Sequence, residues 1–215
     1  MKKTLIILFL VLFIVFNLSA AVKCKINSFD SITVMSYNAK LDETSTALSL
    51  TSLSIPILFA FTENSLKDKF TVGLMYAETI ALTYGLKELG KNLINRDRPY
   101  TYFENHPSFG EDDIRSFPSG HTALSFASAS FTSYVFSLFY SDSNWRIPVT
   151  LISFSSAITI AVLRVYSGSH FLTDVIAGAL MGSIIGITIP LLHTLKTEDV
   201  SLSASPFHLA FNFNF

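Results

Sequence analysis

A chain of 215 residues is long enough for one domain or a small bundle with a true core. Only 14% of the residues are charged, 50% are hydrophobic and mean hydropathy is +0.46, which argues against an ordinary water-soluble enzyme. The 15 basic and 16 acidic side chains nearly cancel, so no global field gathers nucleic acid and any anion site has to be local.

The chain opens with a short basic head, an apolar run over 4–18 and the small residues Ser19-Ala20-Ala21. This is the pattern of an export signal over 1–21, cleaved after Ala21 or retained as a first membrane span. Both alternatives put the following residues on the far side of a bacterial inner membrane. Cys24 is the sole cysteine, which excludes an internal disulfide framework and any multi-cysteine metal cluster.

Five long, weakly charged segments come next, at 44–62, 71–86, 121–141, 147–163 and 175–195. Their lengths suit bilayer spans or the fully buried helices of a compact bundle. Soluble bundle helices normally keep a charged face, and these mostly lack one, so an all-α, membrane-embedded bundle over 44–196 is expected. The dense Ser and Thr at 125–137 and 153–159 fit bonds back to helix carbonyls or across helix interfaces.

Charge then orders the connections. Lys67, Lys69, Arg146 and Lys196 fall on one side, which the positive-inside tendency makes the inner one. The connections at 87–120 and 164–174 then meet on the outer face. Within the segments, Gly178, Gly182 and Gly186 recur every fourth residue and predict a helix-packing face. Glu78, set in an apolar run, is expected to be a neutral, hydrogen-bonded core group or the partner of a basic residue.

The two outer connections carry three clusters. Lys91 and Arg98 are seven residues apart, which predicts two cations on one helical face before Pro99. Pro118-Ser119-Gly120-His121 opens the next segment, with Ser119 or Gly120 as N-cap and free backbone NH groups able to receive an anion. Arg164 and, after a short glycine-containing turn, His170 and Asp174 form the third, with the carboxylate four residues on holding one imidazole nitrogen.

Together these residues resemble the three ordered motifs of the type 2 phosphatidic acid phosphatase superfamily, which also includes class A acid phosphatases and vanadium haloperoxidases. Lys91, six residues and Arg98-Pro99 resemble the first motif, Pro118 to His121 the second, and Arg164, five residues, His170, three residues and Asp174 the third. Leu163 departs from the pattern, since serine commonly precedes the third-motif arginine.

The resemblance implies a helical bundle and hydrolysis of a phosphate monoester or terminal pyrophosphate on a membrane lipid, with no cofactor, no metal and no nucleic acid. It implies His170 as the nucleophile that becomes phosphohistidine, Asp174 as its orienting carboxylate and His121 as the general acid and base. Lys91, Arg98, Ser119, Gly120 and Arg164 would bind the phosphoryl oxygens. The rival readings are a soluble secreted acid phosphatase and a non-enzymatic lipid-phosphate binding or transport protein.

Neighbouring residues carry weaker expectations. Arg96 could meet lipid headgroups, and Arg115 could do the same or contact a second phosphate, though substrate contact is the lesser reading for both; His106 is read as solvent-exposed, and Tyr166 as packing its short loop or supporting a motif arginine through its hydroxyl. The acidic stretch around Glu111, Asp112 and Asp113 is a candidate lid or simply a solvated loop. The tail over 197–215 ends in alternating Phe and polar residues, the period of a strand.

Overall fold

The computed structural model describes residues 26–57, 66–194, 200–205 and 208–213. The predicted leader over 1–21 and Lys196 lie outside the described residues. Five helices carry the fold: α1 (Ala39–Ser54), α2 (Leu66–Leu93), α3 (Gly120–Phe139), α4 (Arg146–Tyr166) and α5 (Leu172–Thr194). They answer to the five predicted segments, each displaced by a few residues at its ends.

Helix α3 is the axis of the bundle, with α1, α2, α4 and α5 all packed on it. Among the described residues three helices, α3, α4 and α5, are long and apolar enough to cross a membrane. Their outward side chains are aliphatic: Leu151, Ile152 and Ile158 on α4, and Leu180, Ile184 and Ile187 on α5, are all exposed. Such a surface suits lipid and not water.

The inside is more polar than the outside. On α1, Ser45, Ser49 and Ser52 form the buried face, while Leu50 points out. Ser49 and Ser52 each meet Ser125 of α3 at 3.2 Å, and Ser128 donates to the carbonyl of Ser52 at 3.0 Å. Thr79, Thr83 and Thr132 return their hydroxyl protons to carbonyls four residues back. Satisfied hydroxyls of this kind can be buried at little cost. The apolar core lies beside them, built from Val72, Met75, Leu86, Phe131, Val135, Ile185 and Ile189 of α2, α3 and α5.

The glycine stripe of α5 is a packing face, as expected. A Cβ on Gly178 would lie 2.6 Å from the carbonyl oxygen of Ser119, one on Gly182 2.0 Å from that of Ala123, and one on Gly186 2.4 Å from that of Ala127. Helices α3 and α5 therefore touch backbone to backbone along three turns.

The connections sort by end of the bundle. Residues 94–119, with 3-10 turns at Pro99–Tyr102 and Gly110–Ile114, lie together with residues 167–171 and the first turn of α5, joined by Tyr100 N to Gly168 O at 3.1 Å and Ser119 N to Asp174 O at 3.0 Å. The segment ahead of α1 folds onto them, with Asn38 N donating to Ser167 O at 3.1 Å. In the tail, β1 (Val200–Ser205) and β2 (His208–Phe213) pair antiparallel. The alternation thus does mark a strand, and its partner is the stretch just before it.

Candidate active site

Helix α2 ends at Leu93 with Lys91 in its last turn. The chain then runs extended, Arg98 adopting φ −78° and ψ 153°, so Lys91 and Arg98 do not share a helical face. What brings Arg98 back is a short parallel bridge between Arg96 and Arg115 and the bond from Arg98 N to Asp113 O at 2.8 Å. Its guanidinium is fixed by Nε donating to Asp112 O at 2.7 Å and Nη1 to Ser169 O at 3.0 Å. Nη1 stands 3.5 Å from His170 Nε2.

Ser119 is the N-cap residue of α3 but makes no capping bond through its side chain, which meets Thr122 Oγ1 at 2.9 Å instead. Gly120 and His121 open the helix, and His121 Nε2 lies 3.4 Å from Thr46 Oγ1 of α1. Arg164, near the end of α4, is buried; Nη1 donates to Asp42 Oδ1 at 2.7 Å and Ser45 Oγ at 3.1 Å, whereas its buried Nε has no partner.

His170 precedes α5 rather than belonging to it. The turn that sets it needs Gly168, at φ +72°, because a Cβ there would lie 2.5 Å from Met35 O and 2.7 Å from Ser36 O. Asp174 sits in the first turn of α5, 3.8 Å from His170 Nδ1, beyond direct hydrogen-bond reach. Between them stands Ser116, its hydroxyl donating to Asp174 Oδ2 at 2.6 Å and lying 3.5 Å from Nδ1.

Six of the eight predicted site residues, Lys91, Arg98, Gly120, His121, Arg164 and His170, line one cavity of about 410 Å³. Ser119 and Asp174 lie behind its wall. Burial, reinforced by the positive charges of Arg98, Arg164 and Lys91, holds the His170 pKa well below the ordinary histidine value, so the imidazole is neutral and basic only at its lone pair. A fully buried neutral imidazole faced by three cationic side chains suits attack on an electron-poor centre that carries several anionic oxygens. Among the described residues, no group of three or more His, Cys, Asp or Glu is placed to hold a metal ion.

The sequence profile of the PAP2 superfamily matches residues 72–198, more than half the chain. The chain belongs to the PAP2 superfamily. It is 31% identical to a probable diacylglycerol pyrophosphate phosphatase 1 of Schizosaccharomyces pombe, over 53% of this chain, and spans about half the length of that protein. Its fold is similar to that of Aquifex aeolicus LpxE, with 26% identity, a TM-score of 0.54 and coverage of 80% of this chain and 99% of the other. It is likewise similar to a transmembrane PAP2 type phosphatidylglycerolphosphate phosphatase from Bacillus subtilis, with 22% identity, a TM-score of 0.58 and coverage of 89% and 97%. The membrane-embedded helical bundle is thus the PAP2 fold.

Several neighbours of the PAP2 motifs behave differently from expectation. Arg96 is engaged within the protein: it bridges two fully buried carboxylates, pairing with Asp174 Oδ1 and with Asp30 Oδ2, while Phe171 stacks on its guanidinium at 4.4 Å. Arg115 pairs with Glu88 and Asn92, both at 2.8 Å. Tyr166 faces outward, on an apolar groove with Phe126, Leu172 and Ile176. Glu78 does take a basic partner, the second of its two expected roles, pairing with His193 at 2.7 Å, and both are partly exposed. His106 is half-buried and lies near the Tyr100 ring, and Leu163 is half-buried. Asp113 organises its loop by accepting from Tyr100 Oη at 2.7 Å, Phe109 N at 3.0 Å and Ser108 Oγ at 3.1 Å, while Asp112 lines the cavity.

Sequence reasoning missed Ser116, Asp30 and Asp42. Ser116 stands just before the Phe117-Pro118 turn, where a serine needs no special explanation. The two aspartates act through contacts with residues far along the chain, Asp30 with Arg96 and Asp42 with Arg164. For Asp30 the one local signal is charge in a stretch otherwise poor in it; Asp42, beside Lys40 and Glu43, lacks even that.

Proposed function

We propose that this PAP2 protein hydrolyses a phosphate monoester or terminal pyrophosphate on a membrane lipid through a phosphohistidine intermediate, without a metal ion. The observation that carries the proposal is the cavity in which Lys91, Arg98 and Arg164 surround His170, with the buried Nε of Arg164 left without a protein partner. A buried donor without an acceptor is costly, and a phosphoryl oxygen is the acceptor that suits it. The aliphatic exterior supports a lipid substrate, since the tail can stay in the bilayer as the headgroup enters the polar mouth.

In this reaction the neutral Nε2 of His170 attacks phosphorus as the bond to the leaving oxygen breaks, and His121 gives that oxygen its proton. Lys91, Arg98, Arg164 and the NH of Gly120 bind the three phosphoryl oxygens, whose charge they stabilise in the transition state. His121 then takes a proton from water as its oxygen attacks phosphorus, the N–P bond breaks, and inorganic phosphate leaves. Asp174 stabilises the positive charge His170 acquires.

The test is phosphate release by purified protein from a panel of lipid pyrophosphates, lipid monophosphates, lipid A and soluble esters, with detection of phosphohistidine. His170→Ala should form no phosphoenzyme. His121→Ala should lose more activity on substrates with poor leaving groups than on activated aryl phosphates. Binding without turnover on every substrate, or a phosphoenzyme in His170→Ala, would overturn the proposal.

A further inference from the structure

The pair His170 and Asp174 matches a nucleophile and its orienting carboxylate in sequence, yet the two groups do not touch. Asp174 Oδ2 is the nearer oxygen, and it accepts from Ser116 Oγ at 2.6 Å and from Phe171 N at 2.9 Å. The other oxygen is taken by Arg96. A carboxylate oxygen has two lone pairs, so the one facing the imidazole is already saturated. At 3.8 Å, Nδ1 is also too far for a direct bond.

Ser116 fills the gap. Its side chain is fully buried, its single proton goes to the carboxylate over a short, charge-assisted bond, and its remaining lone pairs face His170 Nδ1 at 3.5 Å. A group that presents only lone pairs to Nδ1 favours the tautomer with the proton on Nδ1. That tautomer leaves Nε2, beside Arg98, unprotonated and facing the cavity.

We infer that Ser116 is the positioning residue that fixes the nucleophilic tautomer of His170, transmitting the Asp174 carboxylate to Nδ1 through its hydroxyl. This rests on the phosphatase proposal for the site. The contact to Nδ1 is long at 3.5 Å, and catalytic hydrogen bonds commonly shorten in the complex with substrate. As positive charge develops on the ring, Nδ1–H donates to Oγ while Oγ–H continues to donate to Asp174.

The test uses the full chain in detergent, with histidine labelled at both ring nitrogens and the His170 resonances assigned by their loss in His170→Gln. The wild type should show an Nδ1–H, Nε2-unprotonated ring, and Ser116→Ala a mixture of tautomers or the reverse. Turnover of the best substrate should fall at least 10-fold in Ser116→Ala with KM changed less than threefold. Ser116→Thr, which keeps the hydroxyl, should recover most of both signals.

An unchanged tautomer in Ser116→Ala, or turnover within twofold of wild type, would overturn the inference. So would a Ser116→Ala variant whose only change is a lower unfolding temperature. Because the tautomer is read without substrate, failure of the phosphatase proposal would show instead as a wild-type protein that releases no phosphate.

Discussion

Removing Arg96 isolates two carboxylates at once. The guanidinium is largely buried, and both Asp30 and Asp174 are fully buried around it. Truncating one partner of a buried ion pair typically costs about 3–5 kcal/mol, because the charge left behind keeps its desolvation penalty. Here each carboxylate retains other donors. Asp30 keeps Asn27 Nδ2 at 2.9 Å, Thr173 Oγ1 at 2.7 Å and Thr173 N at 3.1 Å, and Asp174 keeps Ser116 and Phe171. The lower end of the range, about 3 kcal/mol, is therefore expected for Arg96→Met. For a chain of this size that corresponds to a fall in Tm of about 6–12 °C. The assay is thermal unfolding in detergent, followed by intrinsic fluorescence, for Arg96→Met, Asp30→Asn and the double variant. Because asparagine carries no charge to strand, the double variant should be more stable than Arg96→Met alone, with a coupling of at least about 1 kcal/mol. A fall in Tm under 2 °C, or a double variant no more stable than the single, would refute the bridging role. A raised KM with unchanged Tm would return Arg96 to the headgroup contact expected from sequence.

Gly182→Ala should cost about 1–3 kcal/mol in the same assay, since its Cβ would sit 2.0 Å from a backbone oxygen, whereas Gly73→Ala, with open space around it, should be neutral or slightly stabilising; equal Tm values for the two would contradict the helix contact. His170 is held neutral by burial and its cationic neighbours, so below about pH 6.5 the unfolded chain binds a proton that the folded chain does not, and stability falls as pH drops from about 7.5 to 5. Asp30, its carboxyl held low by Thr173 and Arg96 against the opposing effect of burial, loses its contribution only below about pH 4, outside that window. His170→Gln should flatten the slope, and an unaltered slope would count against the buried neutral ring. For orientation, single-cysteine labelling in a Cys24→Ser background should find Ser108→Cys accessible from the outer face and Ser143→Cys from the inner; the opposite pattern would invert the proposed topology.

The helices were legible because lipid-facing segments must be long and apolar, and that signal survives in local composition. The site motifs were legible for a similar reason, since each is contained in a short stretch. The failures involve contacts that composition does not encode. The spacing of Lys91 and Arg98 fits two turns of helix, but Asn92, Asn95 and Asp97 are weak helix formers and the helix stops at Leu93, so Arg98 is placed by strand-like pairing with the loop. The spacing of His170 and Asp174 suggests a direct contact, yet α5 starts only at Leu172 and a serine 54 positions earlier than His170 stands between the two groups. In α1 the serines Ser45, Ser49 and Ser52 form the buried face, which hydropathy alone does not mark. The alternating tail announced its strand, but periodicity names no partner.

The backbone contact between α3 and α5 has a consequence for how this protein can change. Helix α3 begins at Gly120, next to His121, α5 begins at Leu172, two residues after His170, and at the glycine contacts no flexible side chain lies between their main chains to take up slack. The separation of His121 and His170 is set as by a rigid caliper. Other parts of the cavity lining, Tyr37, Tyr84 and Lys87, come from α2 and the segment leading into α1. Residues of that lining can be exchanged to reshape the cavity while the jaws of the caliper keep their gap.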